Sequence, residues 1–377
     1  NMVRSNYSRR AFLAGAALAG LGTTGASRYD EGIDVSTNHD HNTRAPFPSP
    51  AAARLLDLLR IDLPIIQAPA GGVVSNAMTA AVSNNGGLGG IPLSWSSAAQ
   101  AANTIAAARR KTSKPFFVNF VLSFEPVALA AALDSGAPVV QFSWGMPDDK
   151  MVATIRSAGA VMGMQVTNRA SAEAAIDAGA DYLVCQGTEA GGHVHASRPL
   201  ARALQEVLPV AGTVPVVASG GIANGQSVQK YISMGAAGVV MGSRFVASRE
   251  SAAHEQYKQA LVRATSANTV FTTCMNKGWD NAQHRILRNS TYEMWESAGC
   301  PAAGQRPGET DVVARLANDN EYEVERYSIN APGAYYEGDV EAMAAYAGTG
   351  VDDIIDLPPI SEIMSRTWAE FQAARDG

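Results

Sequence analysis

The sequence predicts an α/β fold, a (β/α)8 TIM barrel with an added helical lobe near the C-terminus. Three observations predict it. Eight short apolar runs occupy residues 65–70, 88–92, 116–122, 139–144, 161–166, 182–186, 216–220 and 239–245, with starts about 21–34 residues apart, the spacing of strand–helix units. The runs do not alternate polar with apolar residues, so both faces are expected to be buried, as in a parallel sheet covered by helices. Between them lie Ala-rich stretches with helical patterning, at 76–83, 98–109, 127–134, 151–158, 171–178 and 227–234. Ser171, ahead of Ala174 and Ile176, reads as a cap before an apolar face. An open doubly wound sheet is the alternative, but it ordinarily carries fewer consecutive repeats.

Taken in order, the chain divides into five parts. Residues 1–26 hold Ser8-Arg9-Arg10-Ala11-Phe12-Leu13, a weakly apolar run to about Leu21 and then Thr24-Gly25-Ala26. A charged region, an apolar region and small residues at a cleavage position make an export signal. The pattern resembles a twin-arginine signal, which implies an exported, extracytoplasmic protein that folds around any cofactor before crossing; the apolar run is too short to span a bilayer. Residues 27–50 read as a linker, in which Asn38-His39-Asp40-His41 is a surface accident rather than a metal site. Residues 51–253 are the barrel. Residues 254–339 lose the strand–helix rhythm and hold Trp279, Trp295, Tyr322, Tyr327, Tyr335 and Tyr336, which reads as a helical lobe over one face. Residues 340–377 return as helices at 340–346 and 360–374.

Composition excludes several classes. Lys+Arg 29 against Asp+Glu 35 gives a net charge of −6, and loss of Arg4, Arg9 and Arg10 with the signal would leave −9. No basic cluster exists in the body of the chain, so nucleic acid is not an expected partner. Three cysteines, Cys185, Cys274 and Cys300, give no disulfide framework; a Cys274–Cys300 bridge is possible but spacing does not settle it.

The strand ends carry the chemistry. Active sites of such barrels sit at the C-terminal ends of the strands. The sixth strand runs into Gln186-Gly-Thr-Glu-Ala-Gly191-Gly192-His193-Val-His195, where two glycines remove Cβ atoms beside a histidine that can titrate near neutral pH. The seventh ends in Ser219-Gly220-Gly221 and the eighth in Gly242-Ser243-Arg244, neighbouring loops whose backbone N–H groups suit a phosphate. Gln67 beside Ala68, Asn119, Gln165 and Gln186 put amides on four strands where a core would not want them. A polar heteroaromatic ligand such as a flavin explains them. No Gly-x-Gly-x-x-Gly follows the first strand, so a dinucleotide Rossmann site is not supported. His195 reads as a solvated loop residue. His284-Arg285 and Arg288-Asn289 read as ties within the lobe, and Tyr335, Tyr336 and Tyr346 as packing.

Residues 64–72, 116–119, 186–193, 218–223 and 241–245 together resemble the nitronate monooxygenase family, formerly the 2-nitropropane dioxygenases, over roughly residues 55–377. The resemblance implies non-covalent FMN. Its phosphate would lie on Gly220, Gly221, Gly242 and Ser243 beside Ser219. Its ribityl chain and ring would meet Gln67, Ala68, Asn119, Gln165, Gln186, Gly191 and Gly192. It implies His193 as the catalytic base or electrostatic partner, and no metal. The expected reaction is oxidation of an alkyl nitronate or nitroalkane by O₂ to a carbonyl compound and nitrite. Two departures bear on substrate choice: Val194-His195 replaces the small pair that usually follows Gly-Gly-His, and Gln165 stands where some relatives have lysine. An NAD(P)H-dependent FMN reductase acting on enoyl thioesters or quinones is the alternative activity, and a non-catalytic flavin-binding protein the alternative class. An IMP-dehydrogenase-like reaction needs a cysteine on the loop after strand six, and none follows Gln186 until Cys274. Oligomeric state is left open by the sequence.

Overall fold

The computed structural model describes residues 48–377. Residues 1–47, which include the expected export signal and most of the expected linker, lie outside the described residues.

Eight parallel strands form one sheet: β1 (Ile65–Gln67), β2 (Gly89–Pro92), β3 (Phe116–Val121), β4 (Val139–Ser143), β5 (Val161–Val166), β6 (Tyr182–Gln186), then, beyond the two-residue β7 (Gly192–His193), β8 (Val216–Ser219) and β9 (Gly238–Met241). Their order is β1-β9-β8-β6-β5-β4-β3-β2. The ends of that order meet: Gln67 N donates to Leu88 O at 2.9 Å and Leu88 N to Ile65 O at 3.0 Å. The predicted barrel is therefore closed, with the expected strands at the expected places.

The barrel interior is filled by large side chains set against glycines. Phe117, Tyr182, Val217 and Val240 point into one buried cluster. A Cβ on Gly163 would sit 2.2 Å from the Tyr182 ring, and one on Gly90 2.3 Å from the Phe117 ring, so these positions admit glycine alone. The helix Pro50–Leu59, capped by Ser49, adds Leu55 and Leu59 to the same cluster. Its cap ends the linker one residue before the expected boundary. The outer helices pack Ala101, Ile105, Ala172, Ala175 and Val228 on the sheet. Burial of these apolar faces, at about 25 cal/mol per Å², is the main stabilising term.

Several expectations are corrected. The eighth run ends as a strand at Met241, and Ser243–Val246 is a helical turn, because Gly242 bends the chain at the barrel rim. Asn168, not Ser171, caps the helix Arg169–Asp177; Ser171 closes the reciprocal half of the capping box. The apolar face of Leu200–Ala211 forms a helix the repeat reading left out. The lobe is not helical. It holds β10 (Thr269–Thr272), β11 (His284–Leu287), β12 (Val312–Leu316), β13 (Asp319–Glu325) and β14 (Tyr336–Gly338), with the two short α-helices Glu255–Arg263 and Ser290–Ser297 and the 3₁₀ turn Ser266–Asn268. These strands are short and antiparallel, with register shifts in the β12–β13 hairpin and irregular connections elsewhere, so no regular period marks them. Segment 340–346 is a 3₁₀ turn, Val340–Ala342, followed by extended chain in which Tyr346 bridges to Ile286. The final helix, Ile360–Asp376, stands as expected and packs against the helix Gly225–Ser233. All three cysteines are free, with Cys274 buried and Cys300 exposed. Among the described residues no helix is long and apolar enough to cross a membrane.

Candidate active site

The C-terminal ends of the strands open into one cavity. Ala68, Asn119, Gln165, Gln186, Gly191, Gly192, His193, Ser219, Gly220, Gly221, Gly242 and Ser243 all line it, while Gln67, next to Ala68, is fully buried outside the lining. Arg244 does not line it either. It turns away from the cavity, 2% exposed, and its guanidinium donates to Asp356 Oδ1 at 3.0 Å, tying strand β9 to the C-terminal segment. Gly-Ser-Arg is thus a phosphate-type loop only in its first two residues.

The phosphate corner is backbone packed on backbone. Gly220 and Gly221 adopt φ of 132° and 67°, which side chains rarely tolerate. A Cβ on Gly221 would stand 2.7 Å from Thr349 Oγ1, and one on Gly191 2.4 Å from Gly348 N. The loop 347–350 therefore presses into both glycines, and Gly348 and Gly350 join the lining. Ser243 Oγ accepts from Gly348 N at 3.0 Å, which leaves its own O–H to donate elsewhere. Gly192 differs from Gly191: with φ 77° it faces open space, so this glycine, not its neighbour, frees the cavity wall.

The amides divide by what they already hold. Gln67 Nε2 donates to Gly90 O at 3.0 Å, while its Oε1 is buried without a partner. Asn119 Nδ2 donates to Gln141 O at 3.0 Å. Gln165 Oε1 accepts from Trp144 N at 3.3 Å, and Trp144 carries a φ of 57°. Gln186 spans the glycine loop: its Nε2 donates to His193 O at 3.3 Å and its Oε1 accepts from His195 N at 2.9 Å. Gln186 thereby fixes the histidine loop as well as lining the cavity.

His193 is set by the lobe. Strand β7 pairs antiparallel with β11, His193 opposite His284. Its ring stacks on Trp279 at 4.3 Å and meets Tyr346 at 5.3 Å. Its Nε2 is buried with no hydrogen-bond partner. Burial first, and His284 second, push the imidazole well below its ordinary 6.5, so it stands neutral at neutral pH. His284 is fully committed: its Nε2 accepts from Met275 N at 3.0 Å, and its Nδ1–H donates to Ala282 O at 2.9 Å. Burial lowers it to about 4. His195 is exposed and lies flat on Trp144 at 4.7 Å, outside the lining.

Sequence reading missed Gln141, Ser143, Trp144 and Trp279 and assigned Tyr346 to packing alone; all five line the cavity. Gln141 lies inside the apolar fourth run, where its period-two position could have marked it as facing the barrel axis. Trp279 comes from the lobe, and nothing local announces where it lands.

The lining fits the FMN expected from the sequence. His193 Nε2 is an unpartnered polar atom on the cavity wall, Gly192 leaves room beside it, and the glycine corner presents backbone N–H groups; Gln67 Oε1, next to the lining residue Ala68, is a second buried acceptor without a partner.

Comparison with known proteins agrees. The sequence matches the family described as nitronate monooxygenase over residues 52–131 and 126–370. It is 33% identical over 352 residues to a nitronate monooxygenase of Pseudomonas aeruginosa, covering 81% of this chain and 95% of that one. A nitroalkane oxidase from Streptomyces ansochromogenes superposes with a TM-score of 0.69 at 28% identity, covering 86% of this chain and 99% of the other. FabK from Thermotoga maritima gives 0.70 at 28% identity, covering 86% and 97%. The fold, the FMN-type cavity and these similarities converge: the chain is an oxidoreductase that belongs to the nitronate monooxygenase family, whose members depend on FMN.

Proposed function

We propose that this protein oxidises alkyl nitronates, or the nitroalkanes that yield them, with O₂ to a carbonyl compound and nitrite, with His193 as the base. The observation that carries the reading is a neutral, buried imidazole whose Nε2 has no partner, on the wall of the cavity. A neutral Nε2 can take the α-proton of a nitroalkane. A standing imidazolium would instead hold a preformed nitronate by charge, and the depressed pKa argues against that version. FMN, when bound, supplies the electron chemistry; Ser219, Gly220, Gly221, Gly242 and Ser243 would hold its phosphate, and Asn119 and Gln165 from the lining, with the unpartnered Gln67 Oε1 next to Ala68, would meet its polar rim. Gln186 keeps His193 oriented through the loop backbone. Trp279 and Tyr346 exclude water around the imidazole.

The test is nitrite release from nitroalkane and nitronate by the FMN-loaded protein. His193→Asn should abolish most nitroalkane turnover while the flavin stays bound. Rapid bleaching of the flavin by NADH without O₂, with no nitrite from any nitro compound, would move the assignment to a reductase. The Ser8–Leu13 pattern further supports export by the twin-arginine route; a reporter fused to residues 1–26 should leave the cytoplasm in cells with that pathway and stay inside when Arg9 and Arg10 are both replaced by Lys.

A further inference from the structure

Around His193 the cavity is lined by the rings of Trp95, Trp144 and Trp279, with Phe124 packed against two of them. Trp279 stacks on His193 at 4.3 Å and packs edge-on to Trp144 at 4.8 Å. Phe124 packs on Trp279 at 5.3 Å and on Trp95 at 5.1 Å. The rings come from separate places: Trp95 follows β2, Phe124 follows β3, Trp144 follows β4 and Trp279 lies between β10 and β11. Trp144 adopts a left-handed φ of 57° to reach the cavity, a conformation a bulky side chain avoids, and Gln165 holds its N–H in place. His195 covers its outer face.

A second feature of the lining is independent of the rings. Among the described residues that line the cavity there is no Asp, Glu, Lys or Arg. A carboxylate on the substrate, away from the reacting carbon, would lose its hydration there and gain no cation.

We propose that the substrate of this site carries an aromatic or bulky apolar group and no second charge, with Trp279 and Trp144 as the residues that select it. This deepens the nitronate reading and rests on it for the reacting group alone. The apolar group would lie against the face or edge of the two indoles, where stacking adds to burial. Removing the Trp279 ring should cost such a group more than it costs a small alkyl substrate.

The experiment has two arms on the FMN-loaded protein. In the first, kcat/KM for nitrite release is compared for the nitronates of phenylnitromethane and of 1-nitropropane and for propionate 3-nitronate. The phenyl compound should exceed propionate 3-nitronate by at least about tenfold, the scale of an unpaired buried charge. Trp279→Leu should shrink the phenyl-over-propyl preference by about two- to tenfold, mainly through KM, and Trp279→Phe should restore most of it. In the second, phenylacetamide, phenylacetate and propionamide are titrated against the visible spectrum of the bound flavin, which needs no turnover. Phenylacetamide should bind tightest. Tighter binding of phenylacetate than of phenylacetamide, or phenylacetamide binding untouched by Trp279→Leu, would overturn the proposal. Absence of nitrite from every nitronate would remove the nitronate reading, and the binding arm would still decide what the ring wall selects.

Discussion

The two ends of the cavity are built by opposite means. The glycine corner is backbone: Gly191, Gly220, Gly221 and Gly242 from the barrel loops, met by Gly348 and Gly350, with one hydroxyl from Ser243. The histidine end is side chain: His193 stacked among Trp279, Tyr346 and His284, three of these four rings supplied by residues beyond the barrel. The corner depends on what is missing, the Cβ atoms, and so tolerates no added volume. The histidine end depends on burial, which holds an imidazole neutral. A common seat for a phosphate can be made by the barrel alone; the reactive group requires the lobe.

Substitutions can separate these two halves. The largest effect is expected at the histidine end. His193→Asn should lower nitroalkane turnover by about two to four orders of magnitude, the usual worth of a general base, with flavin content of the purified protein unchanged. Loss of flavin in that variant would break the division. Next, Gly191→Ala should cost about 4 kcal/mol and reduce bound FMN, because its Cβ would stand 2.4 Å from Gly348 N, a backbone atom with nowhere to go. Gly192→Ala, facing open space, should cost only about 1–2 kcal/mol, from its φ of 77°. Denaturant midpoints and flavin absorbance decide both.

Acid should unpick the histidine end in a defined window. The folded state holds His284 at about 4, below the ordinary 6.5, so the unfolded chain takes up the proton first. The stability this contributes is complete above pH 6.5 and is lost as pH falls toward 4, by about 3 kcal/mol. Unfolding free energies at pH 7 and pH 4.5, with His284→Phe flattening the difference, would show it. An effect as small as that at Gly192 belongs to the link between the two ends. Gln186→Leu should cost about 1–2 kcal/mol for two lost hydrogen bonds and should lower kcat more than it lowers FMN affinity, since both bonds hold the His193 loop.

The same division explains what could be read from the sequence. The barrel was legible because the strands are mostly apolar runs buried on both faces, and most of their rims are marked by glycine or proline. The corner was legible because glycine at a strand end is a local signal. His193 was legible for the same reason, being preceded by Gly191 and Gly192. The aromatic wall was not. Trp144 sits one residue past β4 with a strained φ that no pattern announces, and Trp279 reaches the cavity only because β11 pairs with β7. Short antiparallel strands such as β11 take their partners from tertiary contacts, which is why the lobe read as helical. Arg244 shows the converse error: adjacent to Gly242 and Ser243 in sequence, it points to Asp356 instead.

The central claim is a neutral imidazole working beside the flavin. The pH dependence of kcat/KM for a nitroalkane supplied in its neutral form tests it most directly. If His193 is held well below 6.5, the profile stays level as pH falls through 6.5 and drops only at more acidic pH, and His193→Asn removes the activity across the whole range. A drop centred near pH 6.5, or a His193→Asn enzyme that keeps wild-type turnover, would contradict it.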